Sequence, residues 1–230
     1  MRLLSFIIIL ITFLSACTSD NVVKTEKEAL YGIFKNITSK SLSKKNHIIN
    51  QPSAFPNTKK WLEKFSQPII LTSSIDKKNQ ATLVSLGNNA ERLTWVSSDG
   101  ISLSYDNGVL IATRGYAQDL LTLNYENPNN LFKSSYLHYN KIHRYLNGQN
   151  KYADVAFKCT GRKMAPQSIE IVEYTLLIDR YVETCVSKKH KYTNEYDLLS
   201  GTTVVVKSKQ WISPVNSYFL TYNLYAFQKF

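Results

Sequence analysis

The stretch Ile101-Ser102-Leu103-Ser104-Tyr105-Asp106-Asn107-Gly108-Val109-Leu110-Ile111-Ala112-Thr113 decides the fold class. Asn107-Gly108 supplies the two positive-φ residues of a type I′ turn, whose twist matches that of the strands it joins. With that turn, Tyr105 opposes Leu110 and Leu103 opposes Ala112. Ile101, Leu103, Tyr105, Leu110 and Ala112 then share one face, and Ser102, Ser104, Ile111 and Thr113 share the other. Such alternation describes an antiparallel hairpin with one buried side.

Similar runs recur on both sides of this hairpin. Strands are expected over 68–73, 80–86, 91–97, 101–106, 109–113, 137–146, 152–159, 168–178, 181–186, 202–210 and 218–227. Short strands at this spacing, parted by turn residues, indicate an all-β fold. The expected form is a mainly antiparallel meander, built as a sandwich or open half-barrel, with a short N-terminal amphipathic helix. That helix covers 20–39, where Val23, Leu30, Ile33, Phe34 and Ile37 form one stripe on a 3.6-residue period. Residues 38–60 are polar and read as a linker, and 61–65 as a single helical turn.

The first sixteen residues have a different character. Arg2 precedes an apolar run from Leu3 to Leu14, too short to span a bilayer, which takes roughly 20 residues. Leu14-Ser15-Ala16-Cys17 matches the bacterial lipobox, so 1–16 reads as a lipoprotein signal peptide and Cys17 as the lipidated residue. Several acyl chains on Cys17 would give stable anchoring, since one chain alone binds only marginally. Thr18, in place of Asp, favours the periplasmic face of the outer membrane. The organisation expected is a lipidated N-terminus, helix and linker over 17–60 and a single β-rich domain over 61–230.

A formal charge of +11 favours anionic partners. Export to the envelope leaves acidic polysaccharide or anionic lipid and removes nucleic acid. The 15 tyrosines suit both sheet and a sugar-facing surface. Cys159 and Cys185 remain after Cys17 is assigned, and in an oxidising compartment they read most simply as a disulfide. Closing that loop would constrain the unfolded chain by about 3.5 kcal/mol. A metal site is the alternative, and His190 alone does not complete it. Arg162 and Lys163 form a basic turn beside this pair.

Three groups of residues, taken in order, point to a family. Trp95-Val96-Ser97-Ser98-Asp99-Gly100 is followed, after the hairpin, by Thr113-Arg114-Gly115-Tyr116-Ala117-Gln118-Asp119-Leu120. Cys159-Thr160-Gly161 is matched with Glu183-Thr184-Cys185. Tyr192-Thr193-Asn194-Glu195-Tyr196 and Ser200-Gly201 then precede Ser208-Lys209-Gln210-Trp211-Ile212-Ser213-Pro214. From about residue 60 onward the chain resembles the YjbF/GfcB-type lipoproteins, which are associated with exopolysaccharide and group 4 capsule production. Arg114, Tyr116 and Lys209 depart from that pattern. The resemblance implies an envelope lipoprotein assisting secretion or assembly of an extracellular polysaccharide, with polysaccharide-export proteins as partners.

The candidate ligand-facing residues are Trp95, Arg114, Asp119, Gln210 and Trp211, with core packing as the competing reading for both tryptophans. Gly115 is expected in a left-handed or bulged conformation, and Asp119 as an acceptor for nearby backbone N–H groups. No catalytic residue, cofactor or metal site is expected. His138 and His143, five apart, point to opposite faces of one strand, which defeats a simple metal pair. Glu170, Glu173 and Glu183 read as surface charge. Two alternatives stay open: a lipid- or lipoprotein-handling chaperone with an apolar cavity, and an envelope glycan hydrolase with carboxylates converging in a cleft.

Overall fold

Residues of alternating burial dominate the structure, and they curl one sheet around its own inner face. The computed structural model describes residues 59–76, 80–89, 92–126, 131–146 and 151–227, all within the unit His47–Phe230. Cys17, the signal segment and the expected helix over 20–39 lie outside the described residues. A helical turn, α1 (Lys59–Leu62), precedes β1 (Ile69–Ser74), β2 (Gln80–Asn89), β3 (Arg92–Val96), β4 (Ser102–Asp106) and β5 (Val109–Arg114). Next come β6 (Leu120–Tyr125), β7 (Tyr136–Leu146), β8 (Tyr152–Lys163), β9 (Gln167–Ile171) and β10 (Tyr174–Val186). The chain finishes with β11 (Lys191–Leu199), β12 (Val205–Ser213), β13 (Ser217–Asn223) and a 3-10 turn, η1 (Leu224–Phe227).

The sheet runs β5-β4-β3-β2-β1-β13-β12-β11-β10-β8-β7-β6, and β9 pairs with β10. Its pairings are antiparallel, and most join neighbours in sequence. The pairing of β1 with β13 brings the first and last strands together and makes the sheet a nearly closed barrel. No ladder joins β5 to β6 among the described residues. Side chains bridge that seam instead. Thr113 Oγ1 accepts from Leu120 N at 3.0 Å, and the Arg114 guanidinium donates to Leu120 O and Leu121 O, each at 3.2 Å. An uncovered strand edge is an aggregation hazard, and these bonds cover the end of this one nearest the connecting turn.

The type I′ hairpin forms as its sequence dictates, with Asn107 at φ 48° and Gly108 at φ 82°. Tyr105 opposes Leu110 as expected. Beyond them a bulge between Ser104 and Tyr105 shifts the register, so Leu103 opposes Thr113 rather than Ala112. Thr113 therefore turns inward, which frees its hydroxyl to serve the seam.

Gly108 also makes a close crossing. A Cβ there would sit 2.5 Å from Val205 Cγ2, on the far side of the barrel mouth. Gly161 plays a similar part on β8, where any side chain would overlap the Tyr181 ring lying across it.

Several expected elements differ: 181–186 continues β10, the last strand stops at Asn223, and β6 and β11 are additional strands. Residues 168–178 form a hairpin, not one strand, turning at Val172 (φ 51°) and Glu173 (φ 59°). Valine rarely adopts that conformation, and nothing in its chemistry signals a turn. Burial of the Val172 side chain, only 1% exposed, offsets the strain. Around this turn Lys59 N donates to Glu173 Oε2 at 3.1 Å, Lys59 Nζ lies over Tyr174, and Tyr174 stacks on Phe227. The hairpin thus packs with α1 and η1. Arg162 and Lys163 lie in strand β8 rather than a basic turn, and Lys163 Nζ reaches Asp179 Oδ2 at 2.8 Å.

Gly108→Ala is expected to lower stability by about 2–4 kcal/mol, through both its positive φ and the collision with Val205. Gly201→Ala shares a positive φ but meets nothing within 4 Å, so about 1 kcal/mol is expected. Urea unfolding of both variants checks the difference.

Candidate functional site

Along β7, Tyr139, Lys141, His143 and Tyr145 point inward while their neighbours face out. Tyr181, Glu183 and Cys185 on β10 and Tyr192, Asn194 and Tyr196 on β11 do the same. This side of the barrel is filled by polar and aromatic groups. The β1–β5 side is filled by aliphatic ones such as Ile70, Leu83, Leu103 and Leu110.

At the centre of the polar side lies Glu183, fully buried and paired with the equally buried Lys141 at 2.6 Å. The Tyr139 hydroxyl donates to the same carboxylate, and Asn194 Nδ2 donates to it at 2.7 Å. Asn194 Oδ1 in turn accepts from Trp211 N at 2.7 Å. Tyr196 Oη lies 3.3 Å from Gln210 Oε1 and donates to it. Gln210 spans the interior, accepting from Leu110 N and donating to Gly108 O, each at 2.8 Å. Glu183, read from sequence as surface charge, is the hub of this network. Glu170 and Glu173 are exposed and do not join it.

Burial carries most of the tyrosine hydroxyls above their ordinary pKa. Tyr139 is raised first by desolvation and then by the Glu183 charge, and Tyr192 and Tyr196 follow the same order. His143 is held well below its ordinary value by burial, with the Lys141 charge adding to the effect. It is therefore neutral, bonded through Nδ1 to Tyr145 Oη at 2.8 Å and through Nε2 to Tyr192 Oη at 3.0 Å. His138, on the same strand, is exposed and faces the other way.

Cys159 and Cys185 oppose one another on β8 and β10 and form a disulfide, with Cα atoms 4.1 Å apart. Their sulfurs and a Glu183 oxygen cluster within 4.8 Å, but the sulfurs are bonded to each other.

Below the Glu195–Lys209 pair, β11 and β12 part. The Asn194–Trp211 bond spans the gap, and Tyr218 Oη accepts from Thr193 N at 3.2 Å. Half-buried Trp211 fills the space, stacked on Tyr192 with ring centroids 4.6 Å apart. Lys209 Nζ lies 5.0 Å over the Tyr218 ring, and His190 is 6.0 Å from Trp211 at the end of the turn Ser187-Lys188-Lys189-His190.

The five candidate residues do not converge. Trp95 is 3% exposed and belongs to the core. Arg114 holds the seam. Asp119 accepts from Gly115 N at 3.0 Å and Tyr116 N at 3.2 Å, closing the turn where Gly115 has φ 95°. Gln210 is buried, and Trp211 alone of the five lies against the lysine-bearing turn, 6.0 Å from His190.

With this geometry in view, a comparison with protein families matches residues 43–222 to the family described as "Group 4 capsule polysaccharide lipoprotein gfcB, YjbF". The chain belongs to the YjbF family. Its fold is similar to the crystal structure of the hypothetical lipoprotein YmcC from Escherichia coli (K12). That likeness has a TM-score of 0.62 at 16% identity, covering 78% of this chain and 96% of that one. No curated protein sequence matches. Membership places the chain among envelope lipoproteins named for capsule polysaccharide. No helix among the described residues is long and apolar enough to cross a membrane.

Lys141→Met leaves Glu183 buried without its cation and is expected to cost about 3–5 kcal/mol. Lys141→Met with Glu183→Leu should recover much of that loss, a non-additivity that denaturant unfolding of both variants measures.

Stability should also fall with acid. The unfolded chain protonates His143 as pH drops through about 6.5, whereas the folded chain resists. Stability is then complete above that value and declines below it, by up to about 1.4 kcal/mol per pH unit. Unfolding curves between pH 7 and 5.5 should show this slope in the native protein and a flatter one in His143→Gln.

Proposed function

We propose that this lipoprotein binds an acidic polysaccharide at the parted ends of β11 and β12 and so assists its secretion or assembly, without catalysis. The observation that carries the reading is half-buried Trp211 and Tyr218, with Lys209 over the Tyr218 ring and, 6.0 Å from Trp211, His190 of the turn that also carries the exposed Lys188 and Lys189. Aromatic faces stack on sugar rings, and clustered ammonium groups attract their carboxylates. Lipid on Cys17 would hold this surface at the membrane, with Thr18 favouring the outer membrane and residues 17–60 serving as tether. Export proteins of the same pathway are the expected protein partners.

Side chains fill both halves of the described barrel, Glu183 with Lys141 and the buried tyrosines on one and Ile70, Leu83, Leu103 and Leu110 on the other, which supports this reading over a lipid-sheltering chaperone. A hydrolase reading gains little from Glu183, whose charge is matched by Lys141 inside the barrel.

Affinity electrophoresis in gels carrying acidic capsular polysaccharide, against neutral dextran, tests the proposal. Retardation should be confined to the acidic polymer and weaken about tenfold in Lys189→Glu/Lys209→Glu. Deleting the gene should lower surface polysaccharide. Equal mobility in both gels, together with unchanged surface polymer in the deletion strain, would overturn the reading.

A further inference from the structure

The pair formed by β7 and β8 outruns the wall that carries it. β10 ends at Val186, opposite Lys158, so residues 152–157 of β8 pair with β7 alone among the described residues. On the other side, β6 reaches β7 only as far as Tyr145. The end of this hairpin is exposed on both faces, with Lys151, Ala153 and Asp154 as open as Tyr152 between them.

Its outward positions fall in one register. Leu146 opposes Tyr152, Arg144 opposes Asp154, Ile142 opposes Ala156 and Asn140 opposes Lys158. Tyr152 is 64% exposed, the highest value for a large apolar side chain among the described residues, and Ile142 and Leu146 are exposed with it. Val186 continues the patch beside Lys158. Single exposed apolar residues are ordinary, whereas a contiguous group marks a place of contact.

The charges around the patch indicate what it meets. Arg144 holds Asp154 through two bonds of 2.7 Å, and its guanidinium lies 4.4 Å over the Tyr152 ring, so that ion pair is internally neutral. Lys151, Lys158 and Arg162 are exposed cations on the same hairpin, against one further acid, Glu126, which Asn140 binds. Aliphatic and tyrosyl groups bordered by cations complement an anionic lipid surface. Tyrosine settles at headgroup level, and basic side chains lay their stems on apolar surface while their charges reach phosphate.

We infer that this hairpin end rests on the anionic phospholipid surface of the bilayer that anchors a lipoprotein of this family. Tethering supplies the encounter, so a small patch needs only weak attraction to stay engaged. The edge of residues 152–157 sets the depth, since a sheet edge without a partner strand stays out of hydrocarbon and among headgroups. A protein partner fits less well. Stable interfaces cover about 800 Å² on each side around a core depleted of charge, and here the Arg144–Asp154 pair occupies the centre. The contact uses none of the residues of the Trp211 surface, so it stands apart from the polysaccharide reading.

Full-length lipidated protein in vesicles of phosphatidylethanolamine and phosphatidylglycerol, carrying a nitroxide-labelled lipid, tests it. With Cys17 acylated and Cys159 bonded to Cys185, Ala156→Cys supplies the one thiol open to an environment-sensitive fluorophore. Its emission should be quenched several-fold more than that of Leu177→Cys, an exposed position toward the other end of β10. Phosphatidylcholine vesicles should quench position 156 less. Tyr152→Asn and Lys158→Glu should each reduce that quenching without changing the retardation by acidic polymer. Equal quenching at the two positions, quenching at neither, or quenching at 156 that survives both substitutions would overturn the inference. Shielding of 156 that arises only on adding acidic polymer or envelope proteins would overturn it too, by assigning the hairpin to a glycan or a protein.

Discussion

A carboxylate enclosed inside a β-barrel must have every lone pair answered, and Glu183 on β10 meets that demand by recruiting from two other strands at once. Lys141 and Tyr139 reach it from β7, and Asn194 from β11. Asn194 then holds β12 through Trp211 N, and Gln210 on β12 reaches across the interior to β5. Slipping any of these strands by one residue would turn its inward set outward and strand the charge. An aliphatic interior tolerates rearrangement more readily, because its contacts are not directional. The polar half of the barrel is thus the part that fixes register, and the aliphatic half supplies burial.

The same chemistry explains which elements could be read from the sequence. The hairpin at 101–113 was legible because Asn107-Gly108 has few alternative conformations and because its apolar residues alternate. β11 was not legible as a strand. Lys191-Tyr192-Thr193-Asn194-Glu195-Tyr196-Asp197 carries residues that strands usually avoid, since here the inward positions are polar. The turn at Val172-Glu173 had no signal at all, and its conformation is held by what packs around it rather than by its own residues.

The candidate site was legible only in part. The tyrosine surplus suggested a sugar-facing exterior, yet Tyr139, Tyr145, Tyr181, Tyr192 and Tyr196 are buried inside. Composition alone does not separate an aromatic exterior from a hydrogen-bonded interior. Glu183 looked like any strand-borne surface charge because its partner Lys141 is 42 residues away in sequence. Trp211 was identifiable as an aromatic beside cations. What could not be foreseen is that the wall opens next to it.

The pairing of β1 with β13 governs how this chain can acquire its structure. Thr72 and Thr221, whose hydroxyls meet across that pairing, are separated by 149 positions. Contacts between such distant segments form late and slow the folding of a sheet. Until β13 is available, β1 has an open edge and the aliphatic side has no closing wall. A chain with every strand but β13 therefore still lacks the one that joins β1 to β12. The last strand is the keystone of the sheet.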